Sequence, residues 1–179
     1  TVSNSQSVIV IDGATVTVSS AVEIDQTTVE NGASIIVNSG QTLTIADGDG
    51  TDLTVAGTGA VDVNGTLTAT DAQIVYSGAG TLNLVQETFS AGTFTAGSGT
   101  VTYDGAAQTV TAFTYNNLVL GGSGVKTVGN TLDVNGTFTN TQAVTLSDGN
   151  LDIEGAASIG ANITTSAAAG TQNFGSTVA

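Results

Sequence analysis

The sequence predicts an all-β fold, a parallel β-solenoid of about 20-residue coils, from three observations. Apolar and polar residues alternate with period two along most of the chain, glycine-led segments recur at a near-constant interval, and helix formers are scarce. There is one Lys, no Arg, no Met and no Pro, whereas Thr, Val, Ala and Gly dominate, a composition that favours strands between glycine turns.

Period-two runs cover Val8 to Val18, Ser34 to Ile45, Leu53 to Val63, Thr100 to Thr111 and Phe113 to Leu120, each with Gly, Asn, Asp or Ser near an end. The segment Gly57-Thr58-Gly59-Ala60-Val61 returns as Gly78-Ala79-Gly80-Thr81-Leu82 and as Gly97-Ser98-Gly99-Thr100-Val101. A degenerate fourth copy begins at Gly122-Ser123-Gly124. A longer match joins Asp62-Val63-Asn64-Gly65-Thr66-Leu67-Thr68 to Asp133-Val134-Asn135-Gly136-Thr137-Phe138-Thr139. One coil of a solenoid needs two or three short strands and tight turns, with the next coil stacked about 4.8 Å away. The chain is thus expected to form one continuous repeat-built domain, 1–179, of roughly eight or nine coils. The alternative is an antiparallel β-sandwich, because Asn31-Gly32, Asn64-Gly65 and Asn135-Gly136 are also hairpin signals.

Composition narrows function. Fifteen carboxylates against the single base Lys126 give a net charge of -14, so nucleic acid and anionic membranes are repelled. His and Cys are absent, which removes the usual proton shuttle near neutral pH and all thiol and disulfide chemistry. No apolar run reaches the roughly 20 residues of a membrane-crossing helix. The chain opens on Thr1 rather than an initiator Met, which reads as a processed or excerpted chain.

The candidate sites are acidic. Asp47, Asp49 and Asp52 stand in Asp47-Gly48-Asp49-Gly50-Thr51-Asp52, a spacing that wraps a hard cation and makes Ca2+ the ion to expect; a solvated turn is the plainer alternative. Asp148, Asp152 and Glu154, and the pair Glu23 and Asp25, place carboxylates at alternate positions, where outward strand residues are ordinarily polar. Two carboxylates suffice for glycoside hydrolysis, but Tyr76, Tyr103 and Tyr115 are scattered along the sequence and Lys126 is alone, so no catalytic set assembles and no enzyme is expected. Thr-x-Thr pairs at Thr15, Thr42, Thr66, Thr109 and Thr137 would suit an ice-binding array only with constant coil length, which the uneven glycine spacing opposes. The glycine segments precede strands and form no phosphate cradle. Asn64, Asn135 and Asn162 stand in triplets that accept glycans.

Gly97-Ser98-Gly99-Thr100-Val101-Thr102-Tyr103, Ala107-Gln108-Thr109-Val110, Thr114-Tyr115-Asn116-Asn117-Leu118 and Val134-Asn135-Gly136-Thr137 lie within Gly97 to Thr141, about a quarter of the chain. This stretch resembles the β-strand repeats of large bacterial surface and secreted adhesin-like proteins. The resemblance implies a β-solenoid stalk or adhesive segment displayed outside the cell, extracellular or at the cell surface, and it supplies no active site. A surface glycan or a protein would be the target open to such a segment, and the resemblance does not choose between them. Neither end carries an evident capping helix, and the tail 166–179 is low in charge, so end-to-end self-association into a filament, or continuation into neighbouring repeats, is the partner expectation.

Overall fold

The computed structural model describes residues 8–147, 150–166 and 171–175. Among them there is no helix, and every strand pairing is parallel, which excludes the sandwich. The chain winds into a three-sided solenoid of about eight coils, each turn visiting three faces. The first face is one unbroken eight-stranded sheet, running from Thr15–Val18 through Ser34–Val37, Ala60–Val63, Thr81–Leu84, Thr100–Tyr103, Asn117–Leu120 and Phe138–Asn140 to Ala157–Ile159.

The sequence runs read as single strands are each broken at a corner. Ser34 to Ile45 is two strands, Ser34–Val37 and Thr42–Ile45, on different faces; Val8 to Val18 divides into Ile9–Val10 and Thr15–Val18. Gly13 and Gly40, at φ +71° and +75°, make these bends inside otherwise regular alternation. Asn64-Gly65 and Asn135-Gly136 likewise turn corners between faces rather than hairpins.

Coils stack through columns of inward side chains. One runs Val16, Ile35, Val61, Leu82, Val101, Leu118, Phe138 and Ala157, and beside it another runs Val18, Val37, Val63, Leu84, Tyr103, Leu120, Asn140 and Ile159. Each position repeats in register, so medium-sized aliphatic groups fill a narrow core, a fully buried one contributing about 1.5–3 kcal/mol. The three glycine segments stack at one corner. A Cβ on Gly80 would lie 2.6 Å from the Gly59 carbonyl, and one on Gly99 2.6 Å from that of Gly80, so the backbone itself is the packing surface there. The supposed fourth copy, Gly122 to Gly124, belongs to a different corner, between Asn117–Leu120 and Lys126–Val128.

Coil length varies where it matters. On the first face Thr15 pairs with Ser34, Ser34 with Ala60, Ala60 with Thr81, Thr81 with Thr100 and Thr100 with Asn117, steps of 19, 26, 21, 19 and 17 residues. The 26-residue coil carries its surplus as a loop over residues 46–52. The 17-residue coil still lays a short strand on each face, Thr100–Tyr103, Gln108–Val110 and Thr114–Tyr115, but on the second and third faces these are not laddered to the coil before. The third face stops at Ala91–Thr95 and restarts at Thr114–Tyr115 with no pairing between them; the second is joined across the gap by a single bridge, Thr88 to Thr109. Only the first face is continuous through this middle.

Candidate functional site

The long acidic loop is anchored through one of its three carboxylates. Asp47 and Asp49 are exposed, whereas Asp52 is fully buried. Both Asp52 carboxylate oxygens accept backbone N–H groups: Oδ1 from Gly48 at 2.9 Å and Oδ2 from Gln73 at 2.6 Å. Asp52 thereby closes the loop on itself and fastens it to the next coil. Among the described residues no group of three or more acidic side chains is placed to hold a metal ion.

Glu23 and Asp25 do not share an outward face, as alternation along one strand would have it. The strand ends at Ile24, and Gln26, at φ 49°, is the one non-glycine residue in the left-handed region among those described. That corner turns Asp25 inside, where it is 3% exposed and its Oδ1 has no hydrogen-bond partner. Its carboxylate lies on Gly48, where a Cβ would come within 2.4 Å of Oδ2. Burial, then a hydrogen bond to Asp52 and that group's charge, push the Asp25 carboxyl above its usual 3.8, with exposed Asp47 adding to the effect and the Gln26 backbone opposing it. A proton on Asp25 would relieve the repulsion between the two carboxyl groups and let them share it.

Because the folded state binds this proton more tightly than the unfolded chain, stability falls as pH rises from 3.8 through the raised value. Asp25→Asn keeps the donor and removes the titration. It is expected to stabilise the protein at neutral pH by on the order of 1 kcal/mol and to flatten that pH dependence. Asp52→Asn turns an amide toward a backbone N–H and is expected to cost about 1–3 kcal/mol. Urea unfolding of both variants at several pH values checks the asymmetry; equal losses would sink the shared proton.

The second acidic group is divided. Asp148 lies outside the described residues. Asp152 stacks on Asp133 in the third face and accepts from Asn173 Nδ2 at 2.8 Å, Asp133 accepts from Thr114 Oγ1 at 2.8 Å, and Glu154 is exposed. The Thr-x-Thr pairs split between faces, Thr15 and Thr137 on the first, Thr42, Thr66 and Thr109 on the second, so they form no single array.

Lys126, the chain's only base, is not at the surface at all. It is fully buried, occupying an inward position between Gln108 and Val144 on the second face. Its Nζ donates to Ala106 O at 2.6 Å, Gln108 Oε1 at 2.7 Å and Gly105 O at 2.9 Å, with Ser123 O at 3.3 Å. Burial draws the ammonium below its usual 10.5, and Asp104 acts in the opposite sense. Gln108 extends this polar column: its Nε2 donates to Leu84 O and Gln86 O, and its Oε1 also accepts from Gly105 N. One coil earlier, the Gln86 carboxamide pairs with both N–H and C=O of Leu67, replacing a backbone rung where the second face is broken. Nothing in the charge count marks Lys126 as internal; the signal is parity, because Lys126-Thr127-Val128 and Val144-Thr145-Leu146 occupy equivalent strands.

The tyrosines, scattered in sequence, converge in space. Phe94 is the centre of a cluster, with ring centroids 5.3 Å from Phe113, 5.8 Å from Tyr76, 6.3 Å from Tyr115 and 6.4 Å from Phe89. Tyr103 and Tyr115 hydrogen-bond through their hydroxyls at 3.0 Å, and Tyr115 donates to Thr111 O at 2.6 Å. These rings plug the short coil. Outside the plug, between Ala91–Thr95 and Thr114–Tyr115, the missing pairing leaves a cleft of about 330 Å³ bordered by Phe94, Thr95, Thr114, Tyr115, Asn116 and Asn135.

Fold and sites together define a three-sided parallel β-solenoid with an interrupted, aromatic-filled middle. No protein-family model, curated protein or solved structure matches the chain.

Proposed function

We propose that the chain is a non-enzymatic structural or adhesive module, a stiff acidic rod that works outside the cell or at its surface. The observation that supports this most is the unbroken eight-stranded first face, whose ladder fixes a span of roughly 35 Å between end strands at about 4.8 Å per rung. Stiffness comes from backbone pairing repeated in register, and the net charge of -14 keeps the rods apart in solution.

A second reading, end-to-end assembly into a filament, rests on the first coil. Val8, Ile9, Ile11, Val16 and Val22 are 37%, 55%, 63%, 44% and 38% exposed, all beside strand edges that pair on one side only among the described residues. Apolar side chains on an open parallel edge favour another coil stacked upon it. Negative-stain imaging of the protein across a concentration series, with calcium and with a chelator, separates the two. Single short rods at all concentrations support the stalk or adhesive module and exclude the filament; ordered fibres establish assembly. Fibres lost in chelator would give Ca2+ a role at exposed carboxylates such as Asp47 and Asp49.

A further inference from the structure

The cleft at the interrupted third face has the chemistry of a small-ligand site. It lies at the 17-residue coil, where Thr114–Tyr115 is not paired with Ala91–Thr95. The half-buried ring of Phe94 borders it, with the hydroxyl of Thr95 and the carboxamides of Asn116 and Asn135 around the rim, while the Thr114 hydroxyl there is already engaged in donating to the Asp133 carboxylate. Neither carboxamide hydrogen-bonds to another described residue. None of the residues bordering the cleft is charged, in a protein that is otherwise strongly acidic.

We propose that this cleft binds a neutral sugar residue of a surface glycan. A carboxamide both donates and accepts, as a hydroxyl does, so two free carboxamides beside a hydroxyl match a polyhydroxylated ligand better than an ion, which needs only one kind of partner. An aromatic ring alongside offers an apolar surface to the C–H face of a pyranose. The volume falls at the lower end of the roughly 300–1,000 Å³ typical of ligand pockets, the size of one or two sugar rings. An extended peptide fits less well. Thr100–Tyr103 and Asn117–Leu120 remain directly paired on the first face, which holds these two coils about one strand spacing apart and leaves no room to insert a further strand.

The proposal rests on the adhesive reading and supplies its contact point. Saturation-transfer NMR tests it with glucose, galactose, mannose, N-acetylglucosamine and lactose, and with glucuronate and sialic acid as charged counterparts. At least one neutral sugar is expected to bind with Kd on the order of millimolar. Asn116→Ala and Asn135→Ala are each expected to weaken it about tenfold with the melting curve unchanged. No transfer to any neutral sugar, or transfer untouched in the double variant, overturns the site. Beads carrying the protein, applied to glycan-coated surfaces, separate this from the broader reading. Adhesion that survives the double variant refutes the cleft and leaves the adhesive module standing; sugar binding without bead adhesion supports the cleft and refutes adhesion.

Discussion

Lys126→Met is expected to lower the unfolding free energy by about 3 kcal/mol, although it removes a buried charge and keeps an unbranched side chain of similar length. The ammonium is the shared donor to the Gly105 and Ala106 carbonyls and to Gln108 Oε1, all within 2.9 Å. A thioether offers them nothing; the exposed Ala106 carbonyl can turn to water, but a buried acceptor such as Gln108 Oε1 or the partly buried Gly105 carbonyl left without this donor costs about 1–3 kcal/mol, against which the relieved desolvation of the charge is a partial offset. Gln108 then loses one of the contacts that orient it, and its own donations to Leu84 and Gln86 weaken with it. Thr127→Ala, on the outward side of the same strand, is expected to change stability by less than about 0.5 kcal/mol. Guanidinium unfolding of both variants checks the contrast. A Lys126→Met protein as stable as the parent would mean that the polar column contributes no net stability.

Phe89→Ala is expected to cost about 3–5 kcal/mol and to split unfolding into two transitions. Phe89 is 1% exposed and packs on Phe94 and Phe113 next to the lone bridge at Thr88. Away from the interrupted middle, residues 66 to 115, each coil is tied to the next on three faces, so a cavity is held in place by ladders around it. At the short coil only the first face continues, and the aromatic plug supplies the remaining coupling between the halves. Losing its buried ring should therefore let the halves melt separately. Calorimetry reads this directly; Val134→Ala, in the regular stack, is expected to destabilise while leaving a single transition.

The fold class was legible because it is written in local terms: alternation, corner glycines and a near-constant interval. Strand limits and repeat phase were not. Asp62 to Thr68 and Asp133 to Thr139 are nearly the same heptad, yet the first passes from the first face to the second and the second from the third face to the first. A three-sided coil has three chemically equivalent corners, so one turn motif serves any of them, and sequence likeness does not fix which. The acidic corner was half legible. The Asp47 to Asp52 loop is a real insertion, but burial of Asp25 depends on a left-handed Gln26, which no residue preference announces. Aromatic residues at 76, 89, 94, 103, 113 and 115 meet because stacking converts a coil's length of sequence into one rung of space.

The enclosure of Lys126 also bears on how long such a rod would last outside a cell. Proteases of trypsin-like specificity cut after lysine or arginine, and this chain contains one such residue in 179, held inside the coil with its neighbours Lys126–Val128 paired on both edges. Cleavage must wait for local unwinding of that coil, so digestion proceeds no faster than the rod opens. When it does open, two fragments result, 1–126 and 127–179, and their rate of appearance is a clock for the stability of the middle of the solenoid.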